Sequence, residues 1–532
     1  MSASFIGFAL IAYFLLLLVV GFVTGRKAGA SGYFMGNKQS LWWMVALGML
    51  SDSMSGVSFI SVPGAVNVAH WTYMQVVFGY LLGYLIIAYV LLPIYYKQNL
   101  TSIYSYLENR FGKLHQQIGA GFFVLSRLLG SAARLFLTAM ILQLYLFDAL
   151  QIPFAVSVVI IILLILAYTF KGGIRTLVFT DALQSLFLIG GVVVCVVGLM
   201  FSLEWVDMWW KGAAESPFSR IWHHEMAQML EWNPMAKNYF WKHFLGGAAM
   251  CVVMTGLDQN MMQKNLSCKS LGDAQKNMVA TGFVIVLVNI VFLSLGVLMH
   301  AYLQKYQLAI PEINGKVNSD AILPMLALQQ PLNLFGWDWL VPLAFVLGLS
   351  AATFSSADSV LTTLTTSIYF DFLHLDKKEI SEEVKENYRK RLHLMFAGLL
   401  FLAILFFRWL NSTSLIDTVL MVASYTYGPL LGLFIIGIFT KKSPQGIAVL
   451  VWVLVAPLLV YVMKISDASG VWGASKASLN LNIFDRAIQS LRPDGSPLFG
   501  DYVFGFEVLI VNGLLVAAGL WLIAGFQTKK AQ

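Results

Sequence analysis

A stripe of small polar residues gives one apolar helix, predicted over residues 338–371, the composition of an ion site. Ser355, Ser356 and Ser359 recur at three- and four-residue spacing, so their hydroxyls share one helix face. Asp358 lies within the stripe, and a carboxylate in mid-membrane costs about 2.5 to 3.5 kcal/mol unless a partner or cation neutralises it. Small hydroxyls also serve close helix packing, but the acid favours an ion site.

A second polar cluster interrupts the apolar stretch 41–68, where Asp52, five serines, Gly56 and Pro63 fall between residues 48 and 64. Interrupted helices free backbone carbonyls and amides, and membranes tolerate such backbone only where protein buries it or water reaches it. A kinked helix that packs closely through its small residues is one explanation. We favour a discontinuous helix that lines a binding site.

Further ionisable and amide side chains are predicted to lie inside the membrane. Asp181 lies about one turn inside the stretch 176–203, where solvation explains it nearly as well as an ion path. Asp258 and Gln259 lie in a glycine-rich stretch, 237–263. Because ionisable residues in membrane helices usually serve function, these positions are candidates for ion or substrate contacts.

Two arginines, Arg127 and Arg134, share one face of the predicted helix 117–148 and lie toward its inner half. We expect them to snorkel to the interface or to form ion pairs, as long basic side chains in membrane helices usually do. A role in substrate binding is the less favoured alternative.

The composition is that of a polytopic membrane protein. Of the 532 residues, 58% are hydrophobic and 11% are charged, and the mean hydropathy is +0.75, whereas soluble domains carry about a quarter charged residues. Apolar runs of about 20 residues are long enough to cross the hydrocarbon core as helices. The thirteen candidate spans are residues 2–25, 41–68, 72–97, 117–148, 153–170, 176–203, 237–263, 275–304, 338–371, 391–410, 414–440, 444–464 and 501–526.

The charged residues predict how these spans are oriented. Arg26 and Lys27 follow the first apolar run instead of preceding it, which argues against a cleavable signal peptide and places the N-terminus outside. With thirteen spans the C-terminus is then cytoplasmic, and the loops assigned to the cytoplasm carry the excess of Lys and Arg that the positive-inside rule requires. We expect a multi-pass protein of the cell membrane that functions as a monomer.

Other classes of protein fit the sequence poorly. The net charge of +7 reflects the loop asymmetry, and no basic patch interleaved with aromatic residues suggests nucleic-acid binding. Cys195, Cys251 and Cys268 lack metal-ligand spacing. The nearest zinc-protease motif ends in Gln228, where the second His ligand is needed. We therefore do not expect an enzyme.

Two arrays of five helices follow from the helix count. Spans two to six and seven to eleven each begin with a polar, glycine-broken helix, residues 48–64 and 250–263. An odd number of helices turns the second array upside down relative to the first, as in an inverted repeat. The predicted parts are 1–40 (first helix and inner loop), 41–203 (first repeat), 204–236 (outer loop), 237–440 (second repeat) and 441–532 (two peripheral helices with an outer loop).

Several of these stretches together form a family signature. The sequence from Gly256 to Lys276 resembles the signature of the sodium:solute symporters, the family of the sodium/glucose cotransporters. The resemblance runs in order from about residue 20 to residue 442. Its motifs are Gly256-x-Asp258-Gln259-x-x-x-Gln263-Lys264-x-Leu266, Lys269-Ser270-x-x-Asp273-Ala274-Gln275-Lys276, Tyr33-Phe34-Met35-Gly36 before Leu41-Trp42-Trp43, Leu107-Glu108-Asn109-Arg110-Phe111-Gly112, Gly172-Gly173 ahead of Asp181, and Gly428-Pro429-Leu430-Leu431.

The resemblance implies a thirteen-helix symporter that imports a solute by alternating access, with a five-plus-five inverted-repeat core and one or two sodium ions. It implies a first sodium site between spans two and nine, where carbonyl and hydroxyl oxygens suit a hard monovalent cation. The first site would comprise Ser51, Met54, Ala352, Ser355 and Ser356. A second site, present in some relatives, would comprise Asp181, Ser356, Asp358 and Ser359.

The substrate is predicted least sharply. The candidate contacts are Ser55, Ser58, Asp258, Gln259 and Tyr425. An acid at position 258 can accept hydrogen bonds from sugar hydroxyls or face a cationic group. We expect a small polar solute and favour a sugar or sugar derivative, because no buried Arg or Lys stands ready for a carboxylate. An amino acid or organic anion is the alternative substrate, and a channel is a more distant alternative function.

Overall fold

The computed structural model describes residues 3–25, 38–212, 214–313, 316–330, 332, 334–410, 423–465, 499 and 502–531. The motif Tyr33-Phe34-Met35-Gly36, the basic pair Arg26-Lys27 and most of the outer loop 465–500 lie outside these residues. The predicted beginning of span eleven, at residue 414, lies outside them as well.

Apolar helices make up the membrane part of the described chain. Nine helices are long and apolar enough to cross a membrane alone, two further spans are bent helix pairs, and two shorter apolar helices complete the set. Each of these segments overlaps one of the thirteen predicted spans, and the predicted all-α membrane fold is confirmed. In chain order they are Ala3–Gly25, Trp42–Ser53 with Gly56–Gly64, Val66–Lys97, Lys113–Phe147, Phe154–Thr169, Thr176–Ser202, Phe240–Gly256 with Gln259–Asn265, Leu271–Lys305, Leu340–Phe372, Glu382–Leu410, Ala423–Phe439, Ile447–Ile465 and Val508–Ala531.

Short elements connect these spans. A two-residue antiparallel hairpin pairs Glu312–Ile313 with Lys316–Val317 between spans eight and nine. The connecting helices are Ser105–Phe111, Trp205–Trp210, Pro217–Trp222 and Ile322–Gln329, with single 3-10 turns at Glu225–Ala227 and Ser319–Ala321.

Span two is discontinuous, as its serines and glycine predict. It breaks between Ser53 and Gly56 and bends there by 58°. Met54 (φ −98°, ψ 93°) and Ser55 (φ −88°, ψ 174°) are extended, so the helical bonding pattern stops at these residues. Among the described residues, no backbone amide donates to the carbonyl oxygens of Ser51 or Met54. The break therefore leaves free carbonyl groups in the middle of a membrane span.

Span seven is also discontinuous, with a bend of 67° after Gly256. The carbonyl oxygens of Gly256 and Leu257 accept hydrogen bonds from the hydroxyls of Tyr95 and Tyr104 at 2.9 and 3.0 Å. The Asp258 side chain caps the helix that follows the break. Protein groups thus satisfy this break, unlike the one in span two. Each five-helix array begins with a broken span, and the boundaries of the two arrays stay a prediction.

Span nine lies at the centre of the molecule. In the most apolar 18-residue stretch of span nine, 78% of the residues are buried, compared with 39% in span one, 33% in span ten and 22% in span twelve. The polar stripe of span nine therefore faces other helices. Gly56 of span two packs against Thr138 and Thr353, whose hydroxyls hydrogen-bond to each other at 2.5 Å. A larger side chain at position 56 would collide with these hydroxyls, which shows that the break in span two lies directly against span nine.

Two further irregularities shape the helices around this centre. Gly173 separates spans five and six with φ 54° and ψ −156°, a conformation that glycine adopts without strain. Span eleven is interrupted at Tyr427, where the side-chain amide of Asn512 donates to the carbonyl oxygens of Ser424 and Tyr425 at 3.0 and 3.2 Å. Span eleven is therefore interrupted as well, at the residue before Gly428 and Pro429.

Candidate ion and substrate site

A pocket lies between the breaks of spans two and seven. Its polar wall includes Tyr73 and Tyr80, whose hydroxyls lie 3.4 Å apart, and Ser53, whose hydroxyl lies 3.5 Å from that of Tyr84. Apolar walls with a few placed polar groups are typical of small-molecule sites. The lining residues are Asp52, Ser53, Met54, Ser58, Tyr73, Tyr80, Tyr84, Arg127, Arg134, Met250, Cys251, Met254, Thr255, Met261 and Ile285.

One pocket arginine, Arg127, has a carboxylate partner. Its Nε donates to Asp258 Oδ2 at 2.5 Å, and its Nη2 donates to the carbonyl oxygen of Met254 at 3.3 Å. The hydroxyl of Tyr427 donates to the same carboxylate oxygen at 2.7 Å. This cluster connects spans four, seven and eleven and neutralises the charge of Arg127. Asp258, a predicted substrate contact, is therefore engaged in an ion pair with Arg127.

The second pocket arginine, Arg134, has no such partner. It is 9% exposed, and no hydrogen bond or ion pair joins it to another described residue. Arg127 and Arg134 lie on either side of the middle of the helix Lys113–Phe147, and their position relative to the inner face of the membrane stays a prediction. The expectation that no buried Arg or Lys is present to receive a carboxylate is wrong, because Arg134 is buried and lines the pocket.

The other predicted substrate contacts lie in different places. Ser58 lines the pocket, whereas Ser55 is buried at the break without contributing to the lining. The side-chain amide of Gln259 bonds at 2.9 Å to two backbone groups of the loop 101–103. Tyr425 packs edge-on against Tyr461 at 5.7 Å. Gln259 and Tyr425 therefore do not reach the pocket, because the loop and span twelve occupy their side chains.

The residues predicted for a first sodium site lie on span two near its break and on span nine, the two spans that contact each other there. The carbonyl oxygens of Ser51 and Met54 accept no backbone hydrogen bond among the described residues. The hydroxyl of Ser355 lies 3.5 Å from Asp52 Oδ1, and that of Ser356 donates to a carbonyl of its own helix at 3.0 Å. All five members of the predicted set are buried, namely Ser51, Met54, Ala352, Ser355 and Ser356.

A buried lysine, Lys264, lies beside this region. Its Nζ donates to Asp52 Oδ2 at 2.6 Å, to Asp181 Oδ2 at 2.5 Å and to Ser359 Oγ at 2.8 Å. The hydroxyl of Ser355 donates to Asp181 Oδ1 at 2.9 Å. In the sequence, Lys264 is marked only by its place in the family signature, near the end of span seven. The bend in that span turns it into the protein, where it contacts spans two, six and nine.

Three of the four residues predicted for a second sodium site are brought together. Asp181, Asp358 and Ser359 lie in one cluster, in which Ser359 Oγ is 3.2 Å from Asp358 Oδ1 and 3.4 Å from Asp181 Oδ2. Ser356 bonds within its own helix instead. The Lys264 ammonium lies in the same cluster, and Asp358 Oδ2 is buried without a hydrogen-bond partner among the described residues.

Comparison with known families agrees with these features. The sodium:solute symporter family profile matches residues 33–451. This chain belongs to that family. The family consists of transporters, not enzymes, and the protein is a multi-pass, sodium-coupled symporter that works by alternating access. In transporters of this kind, discontinuous helices typically form the central substrate and ion sites.

Similar proteins transport several classes of solute. The sodium/sialic acid symporter of Proteus mirabilis is 25% identical, with 84% of this chain and 87% of that protein aligned. The sodium/sialic acid symporter of Aliivibrio fischeri is 24% identical over 86% of this chain and 88% of its own length. The sodium-coupled monocarboxylate transporter 1 of Mus musculus is 24% identical over 81% of this chain and 69% of its own length.

Solved structures show the same fold. A Na+-coupled sialic acid symporter in a substrate-bound outward-open state matches with a TM-score of 0.74 at 21% identity, covering 98% of each chain. A nucleobase-cation-symport-1 family transporter matches with a TM-score of 0.52 at 15% identity, covering 94% of this chain and 96% of its own. The symporter therefore shares its architecture with sodium-coupled and cation-coupled transporters.

Proposed function

We propose that the symporter imports a polyhydroxylated solute that bears a carboxylate, such as an acidic sugar derivative. The observation that carries this proposal is Arg134, a buried guanidinium in the pocket without a counter-ion among the described residues. A buried charge is costly unless it is paired, and guanidinium groups bind carboxylates through two parallel hydrogen bonds. Arg127 is not available for this purpose because Asp258 already neutralises it.

The remaining polar groups of the pocket support the sugar part of the proposal. Tyr73, Tyr80, Ser58 and Thr255 supply hydroxyls that can both donate and accept hydrogen bonds to substrate hydroxyls. The relatives described above carry sialic acid or a monocarboxylate, and both are organic acids. An acidic sugar satisfies the unpaired cation and the hydroxyl-rich wall together.

The proposed first sodium site is formed by the carbonyls of Ser51, Met54 and Ala352 and the hydroxyls of Ser355 and Ser356. Support comes from the two free carbonyls at the break and from the burial of all five residues. Sodium at this point would hold span two against span nine. Because Met54 also lines the pocket, sodium binding would order the substrate site and favour the conformation in which the two spans are in contact.

The proposed orientation places the N-terminus outside the cell membrane and the C-terminus in the cytoplasm, with the monomer as the working unit. The excess of basic residues in the loops assigned to the cytoplasm supports this orientation. The proposed inverted repeats remain residues 41–203 and 237–440, each of which begins with a broken span.

A thermal-shift screen of the purified protein tests the substrate class. The probes are N-acetylneuraminic acid, glucuronic acid, glucose, pyruvate and alanine, each in sodium chloride and in potassium chloride. We expect the largest stabilisation from an acidic sugar in sodium, because only that class meets both Arg134 and the hydroxyl-rich wall. Stabilisation by glucose that equals that by glucuronic acid would contradict a carboxylate requirement, and a larger response to alanine or pyruvate would contradict the sugar class.

A further inference from the structure

We propose that the Lys264 ammonium is a built-in replacement for a second sodium ion, so that each chain binds a single sodium ion. This inference rests on the first sodium site proposed above and specifies how many sodium ions bind. It concerns the cluster in which Lys264 meets Asp181 and Ser359, two members of the predicted second sodium site.

The ammonium already occupies the oxygens that a second sodium ion would need. Lys264 Nζ lies 2.5 Å from Asp181 Oδ2 and 2.8 Å from Ser359 Oγ. A sodium ion bound to the same two oxygens would lie next to the ammonium, and like charges in a buried environment repel strongly. The ammonium and a second sodium ion are therefore alternatives.

The charges of the cluster explain why one cation must be present. Asp52, Asp181 and Asp358 bring three carboxyl groups into a buried region, and Lys264 is the cation that contacts the first two. A tethered ammonium supplies this positive charge at every sodium concentration. Removing it would leave Asp181 and Asp358 facing Ser359 without compensation, which is the arrangement that would recruit a sodium ion.

The unpartnered oxygen of Asp358 supplies a ligand for that recruited ion. Its Oδ2 is buried and has no hydrogen-bond partner among the described residues, while its Oδ1 lies 3.2 Å from Ser359 Oγ. Once the ammonium is absent, the side chains of Asp358, Asp181 and Ser359 can bind the same cation. The lysine thus keeps empty a site that the surrounding oxygens could otherwise form.

Equilibrium binding of 22Na+ to the purified, full-length protein in detergent tests the inference without requiring a known substrate. We expect one sodium ion per chain for the native protein and for Lys264→Arg, which keeps the positive charge. We expect two for Lys264→Gln, which keeps a polar side chain but removes the charge. The double variant Lys264→Gln with Asp181→Asn should return to one, because it removes the carboxylate that the second ion needs.

Two sodium ions per native chain would overturn the inference, as would a single ion in a folded Lys264→Gln variant. Neither result affects sodium symport itself. No 22Na+ binding by the native protein would overturn the proposed sodium site, and this inference with it. If Lys264→Gln does not fold, the native count still decides, because the tethered ammonium and a second bound sodium ion exclude each other.

Discussion

Replacing Arg134 with glutamine is expected to weaken binding of an acidic substrate by at least about 30-fold. Loss of one partner from a buried, hydrogen-bonded charge pair costs about 2 to 5 kcal/mol, and each 1.4 kcal/mol corresponds to a factor of about ten. The change removes the pocket cation that lacks a counter-ion among the described residues. Substrate titrations of the thermal shift in sodium, together with the KM for uptake, measure the effect.

Two matched variants make the Arg134 result specific. Arg134→Lys keeps the positive charge but loses the planar guanidinium that binds a carboxylate through two hydrogen bonds, so it should retain part of the affinity. Arg220→Gln makes the same substitution on the connecting helix Pro217–Trp222, outside the pocket, and should leave affinity unchanged. Equal affinities of the native protein and Arg134→Gln for acidic sugars would contradict the proposed role of Arg134.

Replacing Ser356 with alanine is expected to raise the sodium concentration for half-maximal uptake by at least about tenfold. Mutating groups that merely support metal ligands already costs about 10- to 100-fold in metal affinity, and Ser356 is proposed as a direct ligand. Ser356 is a better choice than Ser355, because the Ser355 hydroxyl also donates to Asp181 and its removal would disturb the lysine cluster. Sodium titrations of uptake and of the thermal shift give two independent readings.

Ser294→Ala is the matched control for the sodium site. Its hydroxyl donates to the Ile290 carbonyl within span eight at 2.8 Å, so the variant removes a similar intrahelical hydrogen bond without touching the proposed site. We expect its sodium activation to equal that of the native protein. A shift of the same size in Ser294→Ala and Ser356→Ala would show that helix destabilisation, not ligand loss, causes the effect.

The sequence predicts most of the fold because its strongest signals are local. Thirteen apolar segments follow from run length, and the breaks in spans two and seven follow from serine and glycine residues where a lipid-facing helix would be apolar. The polar interruption of span eleven follows from Gly428 and Pro429 in the same way. These features depend on a few consecutive residues, so they can be read without knowing how the helices pack.

The partners of buried charges could not be predicted in the same way. Lys264 lies near the end of a predicted span, and only the 67° bend turns its side chain toward Asp52 and Asp181. The acids predicted inside the membrane, among them Asp52, Asp181 and Asp358, indicate that a buried cation should be sought. Arg127 and Arg134 are equivalent in the sequence, and only the packing of the helices pairs Arg127 with Asp258 and leaves Arg134 in the pocket.

Side chains that serve the fold were also hard to separate from those that serve the substrate. Gln259 and Tyr425 are polar residues beside predicted breaks, as substrate contacts often are. Gln259 instead holds the backbone of the loop 101–103, and Tyr425 packs against Tyr461. These contacts join residues that are distant in sequence, so helix periodicity cannot reveal them.

Uptake into proteoliposomes tests sodium-coupled symport most directly. The labelled probe is the acidic sugar that gives the largest sodium-dependent thermal shift, supplied outside vesicles under an inward sodium gradient. We predict transient accumulation above the equilibrium level, which disappears when potassium replaces sodium or when the sodium gradient is dissipated. Uptake that only equilibrates, or that proceeds equally well without sodium, would contradict the account.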